Sequence, residues 1–228
     1  MTIARAFTYY LSDPDWVTKL LIMMIVTGIS FTTTPLLIGA FGMALVFGYQ
    51  SALIRNVRAN FVPPLPHWRD LGSMFMEGLP VLIAYVVFNL PNLFMGAFTW
   101  LVTTLSADTN IVSGGVSLVV ACCLFPLILL LNLVLLPMFT IAQGRYAETR
   151  RVNEFFQFGT LFDKFRTRFE AISQWWIGMI LAYILFTILS ATVIGIPIVL
   201  ALIVPITGAL AGMLHAATYD TPEKRKGS

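Results

Sequence analysis

An ionisable side chain in the middle of an apolar helix usually marks a proton or ion pathway. This sequence has none there. What stays polar inside its apolar stretches is a trio of amides: Asn89 and Asn92 around Pro91, and Asn132 between Pro126 and Pro137. Proline frees a backbone carbonyl one turn earlier, and an asparagine on a facing helix can hydrogen-bond it. Two readings are open. One is a broken-helix substrate site at mid-membrane, as transporters use; the other is interhelical glue at a kink. The lack of a charged partner favours glue.

The remaining reactive side chains point to little chemistry. His67 and His215 are the only histidines, and neither has a second ligand at metal spacing, so solvated or interfacial positions are expected for both. Cys122 and Cys123 are adjacent in an apolar run, which makes a poor staple, and no Cys/His cluster surrounds them. No Ser/His/Asp, phosphate-loop, zinc or paired-carboxylate pattern occurs. The chain is therefore expected to be no enzyme and to need no cofactor or metal.

The elements that carry these residues are set by composition. Of 228 residues, 58% are hydrophobic and 11% charged, with a mean hydropathy of +0.84. A soluble domain has about a quarter of its residues charged, so the bilayer must take up the excess apolar surface. Six stretches are long enough to cross it, near 16–34, 36–56, 79–103, 115–142, 171–193 and 196–217. Only Thr32-Thr33-Thr34-Pro35 separates the first two and Gly195-Ile196-Pro197 the last two, so each pair reads as a tight hairpin. The expected fold is all-α, a single polytopic membrane domain over 1–228, with no cleavable signal peptide.

Charge gives the orientation. All 14 Lys and Arg residues fall in the N-terminal segment, in 55–69, in 145–168, in the C-terminal tail, or, for Lys19, at the first span's start. The opposite loops carry only Asp108. This positive-inside asymmetry puts both termini in the cytoplasm. Trp16, Trp68, Trp175 and Trp176 are expected at the basic edge, where indoles favour the headgroup layer, and Trp100 at the other. The small net charge of +3, spread between apolar runs, argues against nucleic acid as a partner. The basic segments, including Lys224-Arg225-Lys226, either attract anionic lipid or only set topology.

Two patterns lie on the helices. Phe155, Phe158, Phe162, Phe165 and Phe169 recur at spacings of three and four, with Asp163, Lys164, Arg166 and Arg168 opposite, which reads as an amphipathic helix in the inner interface. Ala44, Gly48 and Ala52 on the second span, and Gly208, Gly212 and Ala216 on the sixth, place a small residue every fourth position. Such ridges let helices approach closely in lipid, and Leu210 between them is expected to face lipid. Interfacial helix followed by hairpin recurs three times, suggesting repeats over 7–58, 66–150 and 154–219.

Leu11-Ser12-Asp13-Pro14-Asp15-Trp16, Arg55-Asn56-Val57-Arg58, Pro64-Leu65-Pro66-His67-Trp68-Arg69-Asp70-Leu71-Gly72, Arg145-Tyr146-Ala147-Glu148-Thr149 and the run from Phe156 to Phe162 resemble an uncharacterised prokaryotic membrane family, domain-of-unknown-function family 4013. The resemblance covers nearly the whole chain. It departs at Leu214-His215-Ala216-Ala217, where the family pattern is a more polar exit. It implies a multi-pass protein of a bacterial or archaeal cytoplasmic membrane and brings no catalytic residues. Short loops and small-residue faces then favour a non-catalytic scaffold or accessory subunit, in contact with lipids and with other membrane proteins or its own copies. The alternative is a small-molecule or lipid transporter or channel using the asparagines.

Overall fold

The computed structural model describes residues 2–33, 38–106 and 112–219. Asp108 and the Lys224-Arg225-Lys226 tail lie outside them. A short α1 (Ile3–Thr8) leads through a 3-10 turn, Tyr9–Ser12, into α2 (Trp16–Thr33) and α3 (Ile38–Arg58). Next come α4 (Leu71–Ser106), α5 (Val112–Thr149), a second 3-10 turn (Val152–Phe155) and α6 (Phe158–Thr167). The chain ends in α7 (Phe169–Ser190) and α8 (Gly195–Tyr219). No strand occurs among the described residues. The molecule is a polytopic helical bundle and a multi-pass membrane protein.

The six long helices match the six expected stretches, and α2, α4, α5, α7 and α8 are apolar and long enough to span a bilayer. α3 is less apolar because it is central, touching α2, α4, α5 and α8. A helix packed on protein from several sides can carry Gln50, Ser51 and Arg55 without showing them to lipid. α4 and α5 run further into the basic layer than the apolar stretches do, so Glu77, Arg145 and Glu148 are helical. Both helices also continue through their prolines, Pro80 and Pro91 in α4 and Pro126 and Pro137 in α5. The broken helix, the less favoured of the two readings, is not formed at these prolines.

Close approach is made by glycine. A Cβ on Gly48 would stand 1.8 Å from the Met74 carbonyl oxygen, and one on Gly78 would stand 1.7 Å from that of Ala44. α3 and α4 therefore cross with their backbones in contact. Gly208 and Gly212 receive Leu53 and Val57 of α3, whose side chains would lie 2.8 and 2.7 Å from an added Cβ. The two small-residue ridges thus face different partners, α4 and the opposite side of α3. Ala44 is buried, and Ala52 and Ala216 are half-buried. Leu210 does not face lipid: it is fully buried, seated on Gly178 of α7. Because α8 has α2, α3, α5 and α7 around it, this part of the helix has no lipid face.

The phenylalanine stripe is divided among three elements. Phe155, in the 3-10 turn, is fully buried against Tyr146 and Phe139, with ring centroids at 5.3 and 5.9 Å. It is an anchor rather than an interfacial side chain, because the turn breaks the helical period that the spacing assumed. Phe158, Phe162 and Phe165 lie on α6, which is seated by buried Leu161. Phe158 also packs on Phe88 of α4 at 5.5 Å. Phe169 opens α7 and is exposed.

The opening motif, Ser12-Asp13-Pro14-Asp15-Trp16, ties the start of α2 to the segment before α4. Asp13 Oδ1 accepts from the Asp15 backbone N–H at 2.9 Å, while Oδ2 accepts from Lys19 Nζ at 2.7 Å and from the Leu65 N–H at 3.1 Å. Lys19 Nζ donates in addition to the Leu65 carbonyl at 2.9 Å. Trp68 Nε1 donates to the Lys19 carbonyl at 3.3 Å, and its ring stacks on Tyr49 at 4.5 Å. Two motifs far apart in sequence are thereby tied across a buried ion pair, and Lys19 is no surface charge.

Candidate functional site

The three asparagines do meet. Asn92 and Asn132 exchange amide hydrogen bonds between α4 and α5, each at 3.0 Å. Asn92 Nδ2 also lies 3.2 Å from Asn89 Oδ1. The other donors go to their own helices, Asn89 to the Tyr85 carbonyl and Asn132 to the Ile128 carbonyl, both at 2.8 Å. Neither carbonyl is one that a proline frees, since Pro91 frees Val87 and Pro137 frees Leu133. The amides satisfy one another, and the cavity beside Asn89 and Asn132 is only about 10 Å³. That is at the lower limit for a single water and far too small for a substrate, so this geometry is that of a clasp.

A larger space opens elsewhere. A cavity of about 340 Å³ lies between α2, α3, α4, α5, α7 and α8, within the usual range for a small-molecule site. Most of its wall is apolar, from Met43, Val46, Phe47, Phe139, Met179 and Ile203. Phe31 and Tyr85 stand on its lining while remaining exposed, which places its mouth on their side. Among the described residues, no charged one lines it.

The polar groups on that wall fall into two sets. One is self-contained: Gln143 Nε2 donates to Gln50 Oε1 at 3.0 Å, Gln50 Nε2 to Thr207 Oγ1 at 3.1 Å, and Thr207 Oγ1 to the Ile203 carbonyl at 2.6 Å. The second set has no protein partner. Thr27 Oγ1 and Trp175 Nε1 are buried, with residue exposures of 1% and 3%, and neither makes a hydrogen bond. A buried donor left alone costs about 1–3 kcal/mol, which a guest reaching these atoms would offset. Trp175 was expected at the basic edge. It turns inward instead, because Gly178 one turn on lets α8 pack close.

Sequence reading missed this site because each of six helices contributes only one or a few residues. A signal does exist in Gln50 and Gln143, uncharged amides lying within five residues of Arg55 on α3 and Arg145 on α5.

The basic end is tied together by ion pairs. Glu77 of α4 meets Arg55 at 2.9 Å and also Arg150. Glu148 of α5 meets Arg58 Nε at 2.7 Å. His215 is fully buried here, with Nε2 2.6 Å from Arg58 Nη1 and 3.1 Å from Glu148 Oε2. It is not interfacial, because Gly144 lets α5 close over it: a Cβ there would meet the imidazole at 2.6 Å. His67 is exposed, as are Cys122 and Cys123, both free thiols. Arginines expected to mark topology or touch lipid are thus partly spent on intramolecular pairs.

No curated protein and no solved structure matches this chain. The family model described as protein of unknown function (DUF4013) matches residues 30–200. That span contains every residue of the asparagine clasp and most of the cavity wall, from Phe31 to Trp175 and Met179. The chain belongs to the DUF4013 family.

Proposed function

We propose that this protein binds a small, uncharged, largely apolar molecule in the cavity between its helices and acts as a carrier or conduit for it, without covalent chemistry. The observation that supports this is the pair of buried, unpartnered groups, Thr27 Oγ1 and Trp175 Nε1, on the wall of a 340 Å³ cavity. An ion would find no compensating charge there, which disfavours ion conduction. The small-residue ridges, which favoured a scaffold, are occupied within the bundle and lend that reading less support.

Thr27→Val keeps the shape of the wall and removes its free hydroxyl, while Trp175→Phe removes the indole N–H together with part of the ring. In delipidated protein Thr27→Val should match or exceed wild-type thermal stability, since a stranded donor is lost, whereas Trp175→Phe should lose some through the space it leaves. In protein taken gently from native membranes each should lose a co-purifying neutral molecule seen by mass spectrometry of the extracted protein. If wild type and variants carry the same molecules in the same amounts, the proposal fails.

A second reading rests on a different observation. Beyond Asn89, the outer half of α4 exposes Leu93, Phe94, Phe98 and Trp100, and that of α5 exposes Phe125, Leu129 and Leu130. This arm extends from the bundle with apolar side chains around it, which suits an accessory subunit held against another membrane protein. A photo-crosslinker at Phe98 giving protein adducts would favour it; lipid adducts alone would count against it.

The orientation we infer is cytoplasmic for both termini, in a prokaryotic plasma membrane, supported by the basic-residue asymmetry. Single cysteines at Thr33 and Ile196, in a background lacking Cys122 and Cys123, should label from outside. Those at Asn60 and Asn153 should not. Labelling of Asn153 from outside would reverse the assignment.

A further inference from the structure

We propose that the pocket between the start of α2 and the segment before α4 binds the headgroup of a phospholipid that carries phosphate and a primary ammonium, as in phosphatidylethanolamine. The pocket holds about 260 Å³ and is lined by Asp15, Thr18, Lys19, His67, Trp68 and Arg69. It lies at the basic edge, beside the first residue of a membrane-spanning helix, Trp16. This is the depth of lipid phosphates, where indoles also settle.

Its charges explain the choice of ligand. Lys19 is neutralised by Asp13 and held by the Leu65 carbonyl, so it contributes wall rather than free charge. Among the described residues, the side chains of Asp15, His67 and Arg69 make no hydrogen bond or ion pair, although a carboxylate and a guanidinium line one small pocket. They are more than 4.0 Å apart, since no salt bridge joins them. A ligand with both signs of charge completes both groups. Arg69 presents a fork of donors suited to phosphate, with the His67 ring alongside. Asp15, and Thr18 with its hydroxyl, accept from an ammonium. A quaternary amine has no N–H to offer them, and a purely anionic headgroup would face Asp15 unpaired.

The walls are built before the ligand arrives. Trp68 is fixed by its bond to the Lys19 carbonyl and its stack on Tyr49. The preceding loop is held where Asn56 Nδ2 donates to the Pro64 carbonyl at 2.9 Å and Leu65 bonds to Asp13. Asp70 caps α4 immediately after Arg69, accepting from the Ser73 N–H at 3.1 Å. A site held this way loses little order on binding.

The test is native mass spectrometry of the full chain equilibrated with equal amounts of phosphatidylethanolamine, phosphatidylcholine and phosphatidylglycerol of the same acyl chains. Wild type should retain the ethanolamine lipid in preference. Arg69→Gln should weaken that retention by roughly ten-fold, the loss of one charge-assisted hydrogen bond, while Arg69→Lys keeps most of it. Asp15→Asn should move the preference to phosphatidylglycerol. Arg69 and Asp15 are exposed, so thermal stability should be unchanged and a folding defect is separable. Equal retention of all three lipids, or variants that behave as wild type, would overturn the proposal. Complete displacement by soluble glycerophosphoethanolamine would also overturn it, in favour of a free metabolite.

Discussion

Asp13→Ala, or Lys19→Met, is expected to destabilise the protein by about 3–5 kcal/mol, because each leaves its former partner as a buried charge with nothing to neutralise it. The side chains in this pair are 0% and 5% exposed, and the contact distance is 2.7 Å. Three further bonds depend on it: both polar groups of the Leu65 backbone and the Asp15 N–H end on these two side chains. In a thermal unfolding measurement in mild detergent, a loss of this size lowers the midpoint by on the order of 10 °C. The double variant Asp13→Ala with Lys19→Met should recover part of the loss, since no lone charge remains, though Leu65 stays unpaired. A single variant within about 1 kcal/mol of wild type would show that water reaches the pair and that it behaves as a surface contact.

Gly78→Ala should be nearly as damaging for a wholly different reason. Its Cβ would lie 1.7 Å from the Ala44 carbonyl oxygen and 2.5 Å from the Gly48 nitrogen. Both are backbone atoms, so no rotamer relieves the clash and α3 must separate from α4. Overpacking of this kind costs about 1–3 kcal/mol or more, and separation would also stretch the Arg55–Glu77 contact. Gly96→Ala is the matched control: it lies on the same helix with nothing within 4 Å of an added Cβ. Equal stability of the two variants would mean the helices are not in backbone contact.

What could be read in the sequence was whatever depends on one helix at a time. The long helices, a tight turn between the last two and the division into basic and uncharged ends follow from run length and charge placement, although the turn falls at 191–194 and Gly195 already opens α8. Asn89, Asn92 and Asn132 stood out together as amides beside prolines, but the expected bonds to freed carbonyls are replaced by bonds between the amides themselves. Gly48 was legible as a contact, but not its partner Gly78, which has no small residue repeating around it. The features that were missed need several helices at once. Lys19 looks like a topology marker until the chain brings Leu65 to it, and Trp175 looks like an interfacial anchor until α8 closes on Gly178. Leu210 resembles any lipid-facing leucine, since nothing local records that α8 is surrounded. Phe155 kept the spacing of its neighbours while the backbone had already left the helix.

The unequal lengths of the helices have a consequence for the membrane itself. α7 has 22 residues, ~33 Å of helix, close to a ~30 Å hydrocarbon layer. α4 has 36, ~54 Å, and after Glu77 it runs without a charged side chain through Ser106. Lipid beside α7 meets a helix of matching length, while α4 must lean or draw thicker lipid around it. Each ångström of mismatch costs a fraction of a kcal/mol, so the surplus length is taken up by tilt or by local thickening on the α4 flank alone.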